Sequence, residues 1–229
     1  MFIRKRLRPG GQTTIFFVRS NASPSLQWLC IDSFDELGSV DMQPFLEGGI
    51  VPLLPIAEEP VILVCTHGRH DLCCSIKGNA VARALEDDLG ESVWECSHIG
   101  GDRFAPNVVV LPQGAFFGRL RADDAGEVMQ RFLAGEIDLD HYRGRSGLGF
   151  AIQAAEYFLR RELGETRRDA LLFDGRTVEG DRHRVRWSVG GRAHEVVVRK
   201  TKGTPRRLTC KAEHESRPTV FELEGILSP

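Results

Sequence analysis

Four consecutive aliphatic residues, Val61-Ile-Leu-Val64, lead directly into Cys65. A run that is apolar at every position has no polar face to turn to water. As a strand it must therefore be covered on both sides. That requirement already points to a central strand in a layered α/β domain. The residues after Cys65 fit the same architecture. Thr66–Leu72 reads as a loop, and Ser75–Leu89 as a helix with Ile76, Val81, Ala84, Leu85 and Leu89 along one face and Gly90 as its stop. Ser92–Cys96 reads as a second strand.

Further along, Val108–Leu111 and Phe116–Leu120 read as strands joined across Pro112-Gln113-Gly114 in a hairpin. Ala122–Leu133 is helical, with Asp123 and Asp124 in the first turn where the macrodipole favours them. Ser146–Leu163 is the longest helix and ends at Gly164. Strand, helix, strand, hairpin, helix is the order of a thioredoxin-like α/β layer. Ahead of it, Thr13–Arg19 and Leu26–Ile31 read as a hairpin, and Val40–Pro60, punctuated by Pro52, Pro55 and Pro60, as loop with one short helix. After Gly164 the pattern turns β-rich: Ala170–Phe173, Arg184–Val189, Glu195–Arg199, Arg207–Lys211 and Val220–Leu223. The expected organisation is an N-terminal hairpin extension over 1–59, an α/β domain over 60–164 and a small β-rich module over 165–229.

Composition excludes several classes of function. With 30 basic and 32 acidic residues the formal net charge is −2, which gives no overall electrostatic case for nucleic acid. No stretch approaches a membrane helix, and the basic start lacks the apolar core of a signal peptide, so a cytoplasmic protein is expected. Basic residues do gather at the start (Arg4, Lys5, Arg6, Arg8) and in the last third (Arg182, Arg184, Arg186, Arg199, Lys200, Lys202, Arg206, Arg207). Solvated strand edges are the plain reading of these. The sharper one is a docking surface for an acidic redox partner.

In a reducing compartment, six cysteines imply metal or redox chemistry rather than a disulfide frame. Cys65, Cys73, Cys74 and Cys96 fall in one stretch with His67, His70, His98 and Asp102, without paired Cys-x-x-Cys zinc units. Cys65 and Cys74 flank a strand-to-helix loop, where a helix N-terminus is expected to lower thiol pKa values and supply the deprotonated sulfur that iron–sulfur clusters need. His98-Ile-Gly-Gly-Asp102 places two harder ligands in a second loop, and Gly100 and Gly101 between them rule against a regular helix. Two loops giving two ligands each fit a two-iron cluster.

The sequence here resembles the sucrase/ferredoxin-like family of thioredoxin-like ferredoxins. The resemblance rests on Cys65-Thr-His-Gly-Arg-His-Asp-Leu-Cys-Cys74, on Ser97-His-Ile-Gly-Gly-Asp-Arg-Phe-Ala-Pro-Asn-Val-Val-Val-Leu-Pro112, and on Tyr142-Arg-Gly-Arg-Ser146 followed by Gln153-Ala-Ala-Glu-Tyr157. It implies a 2Fe–2S cluster, two cysteine ligands at Cys65 and Cys74, and a histidine ligand at His98. Fungal relatives carry His-x-Gly-Gly-His, and Asp102 stands where their second histidine would be. The fourth ligand is then Asp102, or Asp102 only orients His98 and Cys96, Cys73 or His67 completes the set.

Cys30 and Cys210 lie in strand-like runs far from these loops and read as structural; Trp94 and Phe104 read as core. Arg143 and Arg145 read as helix-entry structure, with neutralisation of an anionic cluster as the alternative; Lys77 and Arg103 are candidates for tuning charge nearby. One-electron transfer with an unidentified partner protein is the leading function. A thiol oxidoreductase on the same fold would need a resolving cysteine, and the adjacent Cys73-Cys74 pair is a strained one. A structural zinc protein would use the same ligands. The tail could serve as a docking module or a homodimer interface.

Overall fold

A computed structural model describes residues 1, 3–4, 13–21, 23–68, 72–209 and 211–228. Lys5, Arg6, Arg8, His70 and Cys210 lie outside that set. A two-residue strand, β1 (Ile3–Arg4), is followed by β2 (Thr13–Arg19) and β3 (Ser25–Ile31). The latter two pair antiparallel as the expected hairpin. A 3-10 turn over Phe34–Ser39, closed by the Ser33/Glu36 capping box, and a single-turn helix, α1 (Gln43–Leu46), occupy the proline-punctuated stretch.

β4 (Val61–Cys65) is buried at every position, and its period-two alternation explains why. Ile62 and Val64 enter a core with Val81, Ala82 and Leu85. Val61, Leu63 and Cys65 enter another with Leu26, Phe16 and Val18 of the β2–β3 hairpin. Each fully buried Val, Leu or Ile contributes about 1.5–3 kcal/mol. The helix α2 runs Leu72–Leu89 and leads through a 3-10 turn to β5 (Val93–Cys96), which lies parallel to β4 with Cys65 beside Cys96. β6 (Asn107–Leu111) and β7 (Ala115–Gly118) form the hairpin, and α3 (Ala125–Leu133) packs Val128, Met129 and Phe132 into the α2 side of the sheet.

A strand not read from the sequence, β8 (Tyr142–Arg145), then pairs antiparallel with β7. The sheet order is β1-β5-β4-β6-β7-β8. Its inner four strands, with α2 between the parallel pair and α3 after the hairpin, make a thioredoxin-like α/β layer.

The last helix, α4 (Phe150–Leu163), starts four residues later than expected, after Gly147 and Gly149. It turns Ala151, Ile152, Ala155 and Leu159 onto a second sheet, against Leu171, Val185, Trp187, Val196 and Val198. That sheet is wholly antiparallel, built from β9 (Leu171–Glu179), β10 (Arg182–Val189), β11 (Arg192–Lys202) and β12 (Thr219–Leu227) in the order β12-β11-β10-β9. Among the described residues no tail strand enters the central sheet. The strand expected over Arg207–Lys211 is instead loop over residues 207–209, within the β11–β12 connection, and the preceding Arg206 forms an isolated bridge with Ser216.

A buried ionic knot joins the two sheets. Glu156 and Arg160, both fully buried on α4, pair at 3.0 Å, and Arg145 of β8 reaches the same carboxylate at 3.1 Å. The Arg160 guanidinium also donates to the carbonyls of Glu165, Arg167 and Arg168, fastening the chain as it leaves the helix.

Candidate metal centre

The C-terminal ends of the parallel strands β4 and β5 open a crevice, the usual ligand position in an α/β sheet. Cys65 closes β4 there. Cys74 comes from the first turn of α2, and Gly78, one turn later, lets that helix lie directly on the strand: a Cβ on Gly78 would collide with the Cys65 carbonyl oxygen. The close crossing brings the two thiols together. The third and fourth groups come from the loop between β5 and β6. Gly100 and Gly101 both take positive φ, at +83° and +78°, and a 3-10 turn over Asp102–Phe104 comes next. This folds His98 and Asp102 back on the thiols.

The Sγ atoms of Cys65 and Cys74 and a ring nitrogen of His98 all lie within 4.8 Å of one another. Asp102 joins them. Its Oδ1 accepts from the Cys74 thiol at 3.5 Å and stands 3.3 Å from His98 Nδ1. The Asp102 side chain is 7% exposed and that of His98 26%. Three of the four residues named from the sequence thus converge, and Asp102 lies against two of them, Cys74 and His98, without belonging to the mutually close group.

The other candidates fall outside the cluster. The Cys73 thiol donates to the Asp102 carbonyl oxygen at 3.7 Å, so it braces the loop from below. Cys96 is buried beside Cys65 in the strand register but is not within the converging group. His67 is half-buried and also outside it. Cys30 contacts Thr14 on the hairpin. The five described cysteines are all reduced thiols.

At Cys74 the shift runs upward, against the expected lowering. Burial, then the neighbouring Cys65 and Cys73, push Cys74 well above the ordinary thiol range. Burial, Cys65 and Glu95 raise Cys96 to about 12. Burial disfavours the charged thiolate, and it is the largest cause at both residues. A bound cation reverses the balance, because a coordinating thiol is deprotonated outright.

The sequence places Phe104 in the core and gives Arg143 to helix entry; neither assignment holds. Arg143, on β8, lies 3.5 Å over the Phe104 ring, with Arg103 at 4.6 Å and Arg119 at 5.1 Å. It also donates to Asn107 Oδ1 at 2.8 Å, and Asn107 in turn donates to the Gly101 carbonyl at 3.1 Å. A Cβ on Gly101 would stand 2.7 Å from the Arg143 guanidinium. Asn107 and Arg143 therefore hold the ligand-bearing loop in place, and sequence reasoning missed both roles. Burial, with Arg103 and Arg119 nearby, lowers the Arg143 pKa to about 10.

The donor set suits a thiophilic metal. Two sulfurs, an imidazole and a carboxylate, enclosed on most sides, combine the soft and borderline ligands of iron–sulfur and zinc chemistry. Among the described residues no helix is long and apolar enough to cross a membrane.

A stretch of this chain is 29% identical over 97 residues to altered inheritance of mitochondria protein 32 from Meyerozyma guilliermondii. That match spans 38% of this chain and 34% of the yeast protein, about a third of its length. A thioredoxin-like [2Fe–2S] ferredoxin from Aquifex aeolicus is similar over 39% of this chain and 94% of its own, at 20% identity and a TM-score of 0.34. The sucrase/ferredoxin-like family model matches residues 12–144. That span contains the hairpin, both ligand loops and the Arg143 brace, and it exceeds half the chain, so the chain belongs to the sucrase/ferredoxin-like family.

Proposed function

We propose that the chain holds a 2Fe–2S cluster through Cys65, Cys74, His98 and Asp102 and carries single electrons to or from a redox partner protein. The observation that carries this reading is the convergence of two thiols and an imidazole at one end of the sheet, with the Asp102 carboxylate against one thiol and the imidazole. Membership of a family whose description names ferredoxin supports it. The cluster would supply a one-electron couple. The chain's own residues do the rest: Cys65 and Cys74 give sulfur, His98 and Asp102 complete the set, and the Asn107–Arg143 brace fixes the second loop. Six cysteines clustered for metal chemistry suit a reducing compartment, which we take to be the cytoplasm.

A second reading rests on the spacing. Two ligands bound at about 2.3 Å to one tetrahedral ion lie about 3.8 Å apart. Three donor atoms within 4.8 Å of one another are close to that single-ion geometry, whereas two irons ask the two ligand pairs to stand farther apart. Anaerobic purification separates the readings. Brown protein with matching iron and acid-labile sulfide, and a paramagnetic signal after one-electron reduction, supports the cluster. Colourless protein with one zinc ion per chain and no sulfide replaces it with the structural-zinc reading.

A further inference from the structure

Beside the metal centre lies a cleft of about 350 Å³ with walls from three parts of the chain. Lys77 comes from α2, Arg103 and Arg119 from either side of the β6–β7 hairpin, and Arg206 and Arg207 from the β11–β12 loop. Among the described residues none of these five cations has a carboxylate partner in an ion pair, although exposed arginines elsewhere on the molecule are paired. Among the described residues one carboxylate, Asp102, lines the cleft, and its Oδ1 is turned to Cys74 and His98.

Like charges gathered around a concavity repel unless something anionic sits among them. The chain nevertheless invests in holding them there. Arg119 takes φ +64°, a conformation that residues with a side chain rarely adopt. Its amide is pinned by the carbonyls of Phe104 at 2.7 Å and Pro106 at 3.1 Å. Its guanidinium shares the Phe104 ring with that of Arg103.

The geometry points to a binding site for a small polyanion bearing phosphoryl or carboxylate groups, held by Lys77, Arg103, Arg119, Arg206 and Arg207 beside the metal centre. Guanidinium forks match the oxygen pairs of both groups. The size lies in the range of small-molecule sites, about 300–1,000 Å³, and the exposed cations border a half-open cleft from three parts of the chain. Cations converging on one concavity of that size favour a small ligand over a protein surface. The inference does not depend on which metal the neighbouring site holds.

Calorimetric titration of the full chain, as purified, in phosphate-free buffer of low ionic strength tests it. Pyrophosphate and citrate are the probes, and acetate is the monovalent control. The expected result is saturable binding of pyrophosphate, citrate or both at one site per chain, weakened by added salt, with no matching signal from acetate. Whichever probe binds tighter identifies the group recognised. The double variant Arg206→Gln/Arg207→Gln, in an exposed loop, should weaken that binding about tenfold or more. Arg192→Gln, exposed on the same sheet, should leave it unchanged. Absence of binding to both probes, equal weakening by Arg192→Gln, or binding only of poly-glutamate overturns the proposal.

Discussion

Asp102 offers one oxygen to two neighbours, the Cys74 thiol and the His98 ring, so its replacement tests the centre most directly. Asp102→Ala removes one donor and is expected to lose or destabilise the bound metal, read as iron and sulfide content. Asp102→His restores a neutral donor in its place. The cluster should be retained, and with less negative charge at the site its potential should rise, measured by redox titration. Unchanged spectra and cluster lifetime in Asp102→Ala would remove the aspartate from the ligand set. Cys65→Ser and Cys74→Ser should each abolish metal binding, while Cys30→Ser, outside the converging group, should leave it intact. At this scale the sequence was informative because the ligands sit in two short segments. Arg143 could not be read in the same way. Its contact to Asn107 spans 36 residues, and an arginine between a tyrosine and a glycine carries no local sign of the ring and amide it braces.

Among the elements, the crossing of α2 on β4 decides whether the two thiols meet. Gly78→Ala puts a methyl group against the Cys65 carbonyl and should cost about 1–3 kcal/mol through overpacking. More diagnostic than the lost stability is a fall in metal occupancy at temperatures where circular dichroism still reports a folded chain; full occupancy in a folded variant would show that the crossing does not set the site. β4 was legible from its unbroken apolar run, and α2 in part: Val81 and Leu85 are buried as expected, but Ile76 is exposed and Cys74, Gly78 and Ala82 complete the buried face. β8 was not: Tyr-Arg-Gly-Arg has one large apolar residue, which packs on Phe117 of the neighbouring strand. The four tail strands extend beyond their apolar stretches because ladder hydrogen bonds continue through exposed Arg, Thr and Glu. Residues 207–209 belong to a stretch that alternates like a strand yet form loop, and alternation alone does not supply a partner strand.

For the molecule as a whole, α4 and its buried ion pair tie the thioredoxin-like layer to the C-terminal sheet. Glu156→Ala leaves the Arg160 guanidinium buried without its carboxylate, which costs about 3–5 kcal/mol. At about 2–4 °C per kcal/mol for a chain of this size, the melting temperature should fall by roughly 10 °C. A smaller drop than a surface substitution produces would refute the role assigned to the pair. Truncation probes the same joint. A chain ending after Gly164 exposes Ile152, Ala155 and Leu159, which the second sheet otherwise covers, and it should aggregate. One ending after Leu148 removes that face together with its cover and should stay monodisperse in light scattering. The length of β11 carries a further consequence. At about 3.4 Å per residue its 11 residues act as a ruler roughly 35 Å long, with Arg206 carried just past its far end. Removing two residues from both β11 and β12 would keep every side chain on its face yet draw the tip back by about 7 Å, out of reach of the cleft. Strand length thereby becomes a dimension on which selection can set the affinity for the anion while every residue that touches the metal stays the same.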